Sequence, residues 1–293
     1  MTTPQTLFVS GANGNLGRRV VELLLERGYD GKIIAGSRHP EKLSFDGVEA
    51  RKADFDSTES LEAAFAGVDR LLLISTNAMN TEGERKRERQ HRAAIAAAQR
   101  AGVKYIVYTS MPKPDVSAVT FAGDHLGTEE AIIASGIGYT ILRHGWYAEN
   151  LLTALPPALA SGKWYSASGE GLTSYVARED LARVDAEVLA SNFTGNRIVT
   201  LTGTELHTVP ELAALATDVF GKPIEVVNVD DAGYAGGLAH AGLPPAIIPM
   251  LTSFEINTRQ GGLDIQTEAV EILTGQKPQT LRDFLAANRA ALV

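Results

Sequence analysis

The stretch Ser10-Gly11-Ala12-Asn13-Gly14-Asn15-Leu16-Gly17 spaces its glycines three apart, after an apolar run and before a helical pattern. Each glycine has a separate use. Gly11 lets the chain leave a strand in a tight turn, Gly14 admits a pyrophosphate close to the backbone, and Gly17 lets the helix pack closely on the sheet. Ala12, Asn13, Asn15 and Leu16 line the same turn, and the N–H groups at the helix start face a bound phosphate. The next strand should say which dinucleotide fits. It ends Gly36-Ser37-Arg38, with His39, Pro40 and Lys42 following and no Asp or Glu at the position that bonds ribose hydroxyls. Arg38 can instead hold a 2′-phosphate with its guanidinium fork, and Lys42 adds charge. The spacing therefore predicts NADP(H) rather than NAD(H); the competing reading makes Arg38 a solvated loop residue. Asp54 is placed to bond the adenine with Phe55 beside it, and Ser75 and Thr76 end a strand where the middle of the cofactor would lie.

A second constellation is His125-x-x-x-Glu129. Many nicotinamide enzymes carry Tyr-x-x-x-Lys on a helix at this point of the chain, but none of the eight tyrosines here has a lysine four residues on. Carbonyl reduction makes a strongly basic alkoxide and needs a proton donor in the transition state. A quinone differs: hydride addition leaves a phenolate-like anion with a pKa of about 10, which water can protonate. Its reduction needs chiefly position and exclusion of water. His125 and Glu129 share a helical face. Either Glu129 orients His125 as a donor, or the two form an exposed surface pair, or His125 only shapes the pocket. Tyr108, Trp146 and Tyr147 offer flat surfaces and hydroxyls for an aromatic substrate, with core packing as the alternative for Tyr108. Asn150 would fix the loop after Tyr147, and Trp164 and Tyr165 would form a far wall.

The elements that must position these residues alternate. Strands are expected at 6–10, 32–36, 48–52, 69–75, 104–110 and 139–143, with helices at 15–27, 57–65, 82–101 and around His125. Such alternation implies a parallel sheet covered on both faces, and right-handed crossovers give an α/β, doubly wound Rossmann-type fold. After about Asn150 glycine and proline become frequent, and shorter patterns follow: helices at 178–191, 209–220 and 279–290, strands at 197–201 and 224–229. The expected division is 1–150 for NADP(H) binding and 151–293 for a smaller, partly helical substrate lobe. The boundary is soft, because Arg197–Leu201 is a candidate to return to the main sheet. The run 84–92 mixes both charge signs and reads as a solvated helix face.

The composition narrows the classes. The chain has 293 residues, 44% of them hydrophobic, enough for a sizeable core. A net charge of −8 with no basic tract argues against nucleic acid as partner. No apolar run is long enough to span a membrane, and the first residues lack the pattern of a signal peptide. The absence of cysteine excludes disulfides and thiolate chemistry and fits a cytoplasmic protein. No nucleophile elbow, zinc-protease or Walker sequence competes. Histidines 39, 91, 144, 207 and 240 show no metal-ligand spacing, so no metal is expected.

The segments GANGNLG, GSRHPEK, KADFDSTESLEAAFAGVDRLLLIS, AGVKYIVYTS, HLGTEEAIIASGIGYTILRHGWYAENL and GEGLTSYVAREDLA run through the first 182 residues. Together they resemble the NmrA-like branch of atypical short-chain dehydrogenases, and within it the flavin-free, NADPH-dependent quinone reductases; triphenylmethane-dye reductases are also similar. The tail after residue 195 matches more loosely. The resemblance implies NADPH held by Gly11 to Leu16, by Arg38, and by Arg143, Gly145, Trp146 and Tyr147 near the nicotinamide. Asn13 stands where the branch usually has Thr. The implied activity is hydride transfer to a quinone or a similarly electrophilic aromatic, without flavin or metal, with azo or triphenylmethane dyes as the alternative acceptors and a homodimer as the assembly considered. The branch also holds regulators that bind dinucleotide without turnover.

Overall fold

The computed structural model describes residues 4–79 and 85–292. In chain order the elements are β1 (Leu7–Val9), α1 (Asn15–Glu26), β2 (Ile33–Ser37), β3 (Glu49–Lys52), α2 (Thr58–Phe65), β4 (Arg70–Leu73), α3 (Lys86–Ala101), β5 (Tyr105–Ser110), α4 (Ala122–Ser135) and β6 (Gly138–His144). They continue with β7 (Trp146–Tyr147), α5 (Leu151–Ser161), β8 (Lys163–Ser166), β9 (Thr173–Val176), α6 (Arg178–Ala190), β10 (Arg197–Leu201), β11 (Leu206–His207) and α7 (Val209–Phe220). Last come β12 (Glu225–Asn228), α8 (Asp231–His240), α9 (Ile248–Arg259), α10 (Ala269–Thr274), α11 (Leu281–Ala287) and α12 (Arg289–Leu292).

A seven-stranded sheet has the order β10-β6-β5-β4-β1-β2-β3. Every pairing from β3 to β6 is parallel, in registers such as Phe8 against Ile34 and Leu71. The order reverses between β1 and β4, which is where a doubly wound sheet binds ligands. Strands β1, β2, β4 and β5 are buried along their whole length, as expected of a sheet covered on both faces. Helix α1 forms where Leu16, Val20 and Leu24 recur every four residues and are buried together. Beyond it Gly28 turns the chain with φ +65°.

The chain divides into two units that interleave. One comprises Met1–Met111, Asp124–Arg143 and Glu179–Val199; the other comprises Pro112–Gly123, His144–Arg178 and Thr200–Val293. The change of texture after Asn150 therefore falls inside the second unit, and nearly all of α6 belongs to the first. Strand β10 does join the main sheet. Within the first unit Arg70 explains how α6 is held. Its guanidinium, 1% exposed, donates to the carbonyls of Val188, Leu189 and Phe193 at 2.8–3.1 Å and lies 3.9 Å over the Tyr105 ring. A cation thus satisfies the last carbonyls of a helix, where the dipole favours it. Burial pulls this guanidinium below its usual pKa.

The second unit carries a three-stranded sheet, β11-β9-β7, and a parallel pair, β12-β8. Leu151, Leu155, Leu212, Phe220, Phe284 and Leu285 are buried together there. Helix α5 is a departure from expectation: the segment LPPALASG is helical through Pro156 and Pro157. A proline costs an interior helix one hydrogen bond, so its presence reads as loop in sequence, and the buried face of Leu151, Leu155 and Leu159 overrides it. The expected helix at 279–290 is broken at Asn288 into α11 and α12. The start expected for α3 at Glu82 lies outside the described residues. Among the described residues no helix is long and apolar enough to cross a membrane.

Candidate active site

The glycine turn is built from main chain. Gly11 has φ +62°, and its carbonyl accepts from the Gly14 N–H at 2.8 Å. A Cβ on Gly17 would stand 2.6 Å from that same carbonyl oxygen, so the third glycine is required by the approach of α1 to the turn. The turn is tied to both neighbouring strands. Ala12 N–H donates to the Gly36 carbonyl at 3.0 Å, and Ser10 Oγ accepts from Ile74 N–H at 2.8 Å. Asn13 has its own job: Nδ2 donates to Ser37 Oγ and, at 3.0 Å, to the His39 carbonyl. Its amide thereby fastens the glycine turn to the end of β2, which a threonine hydroxyl is too short to do in the same way. Helix α1 is capped by Gly14 without a side-chain hydrogen bond and has no acid in its first turn. The N–H groups of Asn15, Leu16 and Gly17 have no acceptor in their own helix. Helix-start donors without an acceptor in their own helix, and the lack of a carboxylate in the first turn, are the features that fit a pyrophosphate.

Arg38 and Lys42 are exposed beside this turn. His39 pairs with Glu41 at 3.2 Å, and neither Arg38 nor Lys42 has an acidic partner among the described residues. Asp54 is half-buried, and its Oδ1 accepts from Asp56 N–H at 3.1 Å in a local turn. Phe55 stands differently from the expectation: it lies in the turn between β3 and α2 and is buried in the core with Phe8, Ile34 and Leu61, so its ring is spent on packing. Ser75 and Thr76 follow β4; Ser75 is held by β5 and Thr76 by α3. Ser75 N–H donates to Thr109 Oγ1 at 2.9 Å, and Thr76 N–H donates to His91 Nε2 at 3.0 Å. Thr76 Oγ1 donates to Gln90 Oε1, whose amide donates to Asp56, both at 2.9 Å.

These bonds fix the state of His91. Nε2 is the acceptor, so Nδ1 carries the proton and donates to Thr128 Oγ1 at 2.9 Å, and Thr128 donates on to the Asp124 carbonyl at 2.6 Å. Burial, helped by the charge of Arg87, pushes the His91 pKa down to about 3. His91 was not expected to matter. The available signal was a lone histidine on the face of α3 that also carries Ala94, Ile95 and Ala98, all buried.

His125 and Glu129 are both buried on α4, which removes the reading of an exposed surface pair. They are not partners of each other either. His125 Nδ1 is 2.9 Å from the Tyr108 hydroxyl. Glu129 receives Arg143 through Nε at 2.9 Å and Nη2 at 2.6 Å, and Ser110 Oγ at 2.6 Å. The forked pairing satisfies both carboxylate oxygens and leaves Glu129 engaged away from His125. Tyr108 is also not a surface for a substrate: it has no exposed area, and burial raises its pKa, so the phenol stays protonated. Its ring lies edge-on to His91 at 5.6 Å, which joins the two histidine networks. Ser110 was missed; its position at the end of β5, on the ligand edge of the sheet, was the signal.

The second unit holds the remaining expected residues. Gly145 N–H donates to the Leu201 carbonyl at 2.8 Å, and a Cβ there would lie 2.6 Å from the same oxygen. Trp146 is half-buried, with Phe254 edge-on at 4.8 Å. The Tyr147 hydroxyl meets His144 Nδ1 at 3.1 Å, and Arg178 lies 5.6 Å over the Tyr147 ring. Asn150 is exposed. Trp164 packs on the core of this unit, whereas Tyr165 is exposed, so the two do not make one wall.

A family model described as NAD(P)H-binding matches residues 11–192. Quinone oxidoreductase 2 of Escherichia coli (strain K12) is 35% identical over 283 residues, covering 96% of this chain and 97% of that protein. A crystal structure of an Escherichia coli NADPH-dependent quinone oxidoreductase complexed with NADPH superposes with a TM-score of 0.89 at 34% identity, covering 96% of this chain and 99% of that one. The Citrobacter sp. triphenylmethane reductase complexed with NADP(H) gives a TM-score of 0.89 at 31% identity, covering 98% and 100%. The chain belongs to the NAD(P)H-binding family of oxidoreductases, in its NmrA-like branch.

Proposed function

We propose that this protein is an NADPH-dependent, flavin-free reductase of quinones and similarly electrophilic aromatics. The observation that carries the reading is the fate of the His125 and Glu129 positions. Glu129 is committed to Arg143 and Ser110, and His125 is held through Nδ1 by Tyr108. No tyrosine–lysine pair supplies an acid for an alkoxide, so an acceptor whose reduced form is a stable anion suits the site. Bound NADPH supplies the hydride. The turn Gly11 to Gly17 holds the pyrophosphate, Asn13 keeps that turn registered with β2, and Arg38 with Lys42 takes the 2′-phosphate. Ser75, Thr76 and Asp54 line the adenosine and central parts. Arg143, braced by Glu129, leads into Gly145, Trp146 and Tyr147, which we assign to the nicotinamide and the aromatic acceptor. His125 Nε2 is the atom we assign to proton delivery, and Asn150 closes the loop beyond Tyr147.

Purified protein without added flavin, mixed with NADPH and a panel of quinones, azo dyes and triarylmethane dyes, tests this by loss of nicotinamide absorbance. Turnover with quinones leading is the expected result. Dyes leading would move the assignment to a dye reductase, in line with the triphenylmethane reductase similarity. Tight NADPH binding with no turnover across the panel would make the protein a dinucleotide sensor.

A further inference from the structure

Helix α9 turns a polar edge towards the interior of the second unit. Ser253 and Asn257, one turn apart, are 5% and 2% exposed. An apolar pair would fill such positions more cheaply, since a buried polar group is costly unless it is hydrogen-bonded. Here both are bonded, and both face one segment, residues 112–121. This segment has no strand partner for its own backbone. Asn257 Oδ1 accepts from Ser117 Oγ at 2.8 Å and from Ala118 N–H at 3.2 Å. Ser253 Oγ accepts from Thr120 N–H at 3.3 Å. Just past the helix, the Gly261 carbonyl accepts from Lys113 Nζ at 2.9 Å.

Lys113 adds an independent sign. It is the one described residue other than glycine with a positive φ, at 45°. Such a conformation persists only where its surroundings over-determine it. A further constraint comes from Gly262, whose N–H donates to the Asn257 carbonyl at 2.8 Å and where any Cβ would overlap the Asn257 side-chain amide. The apolar side of the same helix carries Phe254. It packs edge-on against Phe121 of the segment at 6.0 Å and against Trp146 at 4.8 Å. One helix therefore fixes both a segment that runs directly into α4, ending four residues before His125, and the ring of Trp146.

We propose that Asn257 and Phe254 are positioning residues for the aromatic acceptor: Asn257 clamps residues 112–121, and Phe254 fixes the Trp146 ring against which the acceptor lies. The acceptor part rests on the reading of function given above; the clamp itself does not. The role of Asn257 is that of an acceptor only, so Asn257→Asp should retain it and Asn257→Leu should lose it. Gly262→Ala should displace the amide without touching Asn257. The Phe254 role requires an aromatic edge, so Phe254→Tyr should rescue what Phe254→Ala loses.

The test uses the full chain carrying Trp164→Phe, which leaves Trp146 as the only tryptophan. Amide hydrogen exchange at Ala118 and Thr120 should quicken about tenfold or more in Asn257→Leu and Gly262→Ala, and stay slow in Asn257→Asp. Trp146 emission should shift to the red in Phe254→Ala and return in Phe254→Tyr. KM should rise for a three-ring quinone by about tenfold while KM for NADPH and for benzoquinone holds. Unchanged exchange in both clamp variants, or exchange in Asn257→Asp as fast as in Asn257→Leu, overturns the clamp. Equal losses for wide and narrow quinones overturn the acceptor role. Should the parent protein turn over no quinone, the functional reading falls alone; exchange and emission still decide the clamp, and quenching of Trp146 by the quinone decides the acceptor contact.

Discussion

The glycine turn and the α4 network belong to the same unit but are made of different material. The turn is main chain: a positive φ at Gly11, a close approach at Gly17 and N–H groups at a helix start, all within residues 10–17. The α4 network is side chain: Glu129 with Arg143 and Ser110, Tyr108 with His125, and His91 with Thr76 and Thr128. Its partners are separated by up to 37 residues. Main-chain anion sites depend on where a helix begins, so one substitution away from glycine defeats them. Side-chain networks depend on every buried polar group having its partner, so they fail by leaving one charge or dipole unpaired.

The largest expected effect tests that second kind of failure. Glu129→Leu leaves the Arg143 guanidinium, whose side chain is 22% exposed, without its carboxylate. Breaking a buried pair on one side costs about 3–5 kcal/mol, and removing both partners costs much less. Urea denaturation should therefore show a large loss for Glu129→Leu and recovery of most of it in Glu129→Leu/Arg143→Leu. A single variant within about 1 kcal/mol of the parent would mean that the pair behaves as a surface pair.

Next in size is Arg38→Ala, which probes the turn. Charge-assisted hydrogen bonds contribute about 1.5–3 kcal/mol, so NADPH binding should weaken about ten- to a hundredfold while NADH binding is little changed. Fluorescence titration with both nucleotides reads the difference. Equal loss for both would take Arg38 away from the 2′-phosphate.

A smaller effect should appear in the pH dependence of stability. The folded pKa of His91 lies near 3 against an ordinary value of 6.5. Above pH 6.5 neither folded nor unfolded chain protonates it, and its contribution is fully present. Between those values the unfolded chain takes up a proton that the folded chain refuses, so stability falls as pH falls, by about 1.4 kcal/mol per pH unit. Relative to the parent, His91→Asn should lose that slope between pH 4 and 6 in urea denaturation. An unchanged slope would mean that His91 is protonated in place.

The difference in material also explains what could be read from the sequence. The alternation of strands and helices, the tight turn at Gly11 and the close packing at Gly17 are local patterns, and they are legible; β10, a candidate to return to the main sheet, does so beside β6. Asn13 is a partial case: its type suited the turn, but its bonds to Ser37 and His39 cross to another strand. The i, i+4 spacing placed His125 and Glu129 on one face, and that face turned out to be interior, with each residue taking a distant partner. Tyr108 and Phe55 look the same in sequence whether they face a ligand or the core; packing put both inside. Residues 112–121 carry no periodicity at all, so neither their membership of the second unit nor the hold that Asn257 has on them was visible.

The smallest expected effect decides how far the two regions share the chemistry. If the turn and the aromatic residues do most of the work by holding two reactants in place, His125 has little left to contribute. A quinone leaves an anion with a pKa of about 10, which water can protonate after hydride arrival, so His125→Ala should lower kcat with a quinone by about tenfold or less. Tyr108→Phe, which removes the hydroxyl at Nδ1, should do less still. A loss beyond about a thousandfold lies in the range of a strong general acid. In that case the proton moves with the hydride, the α4 network is the centre of the reaction rather than its frame, and simple ketones should be tried as acceptors in the parent protein.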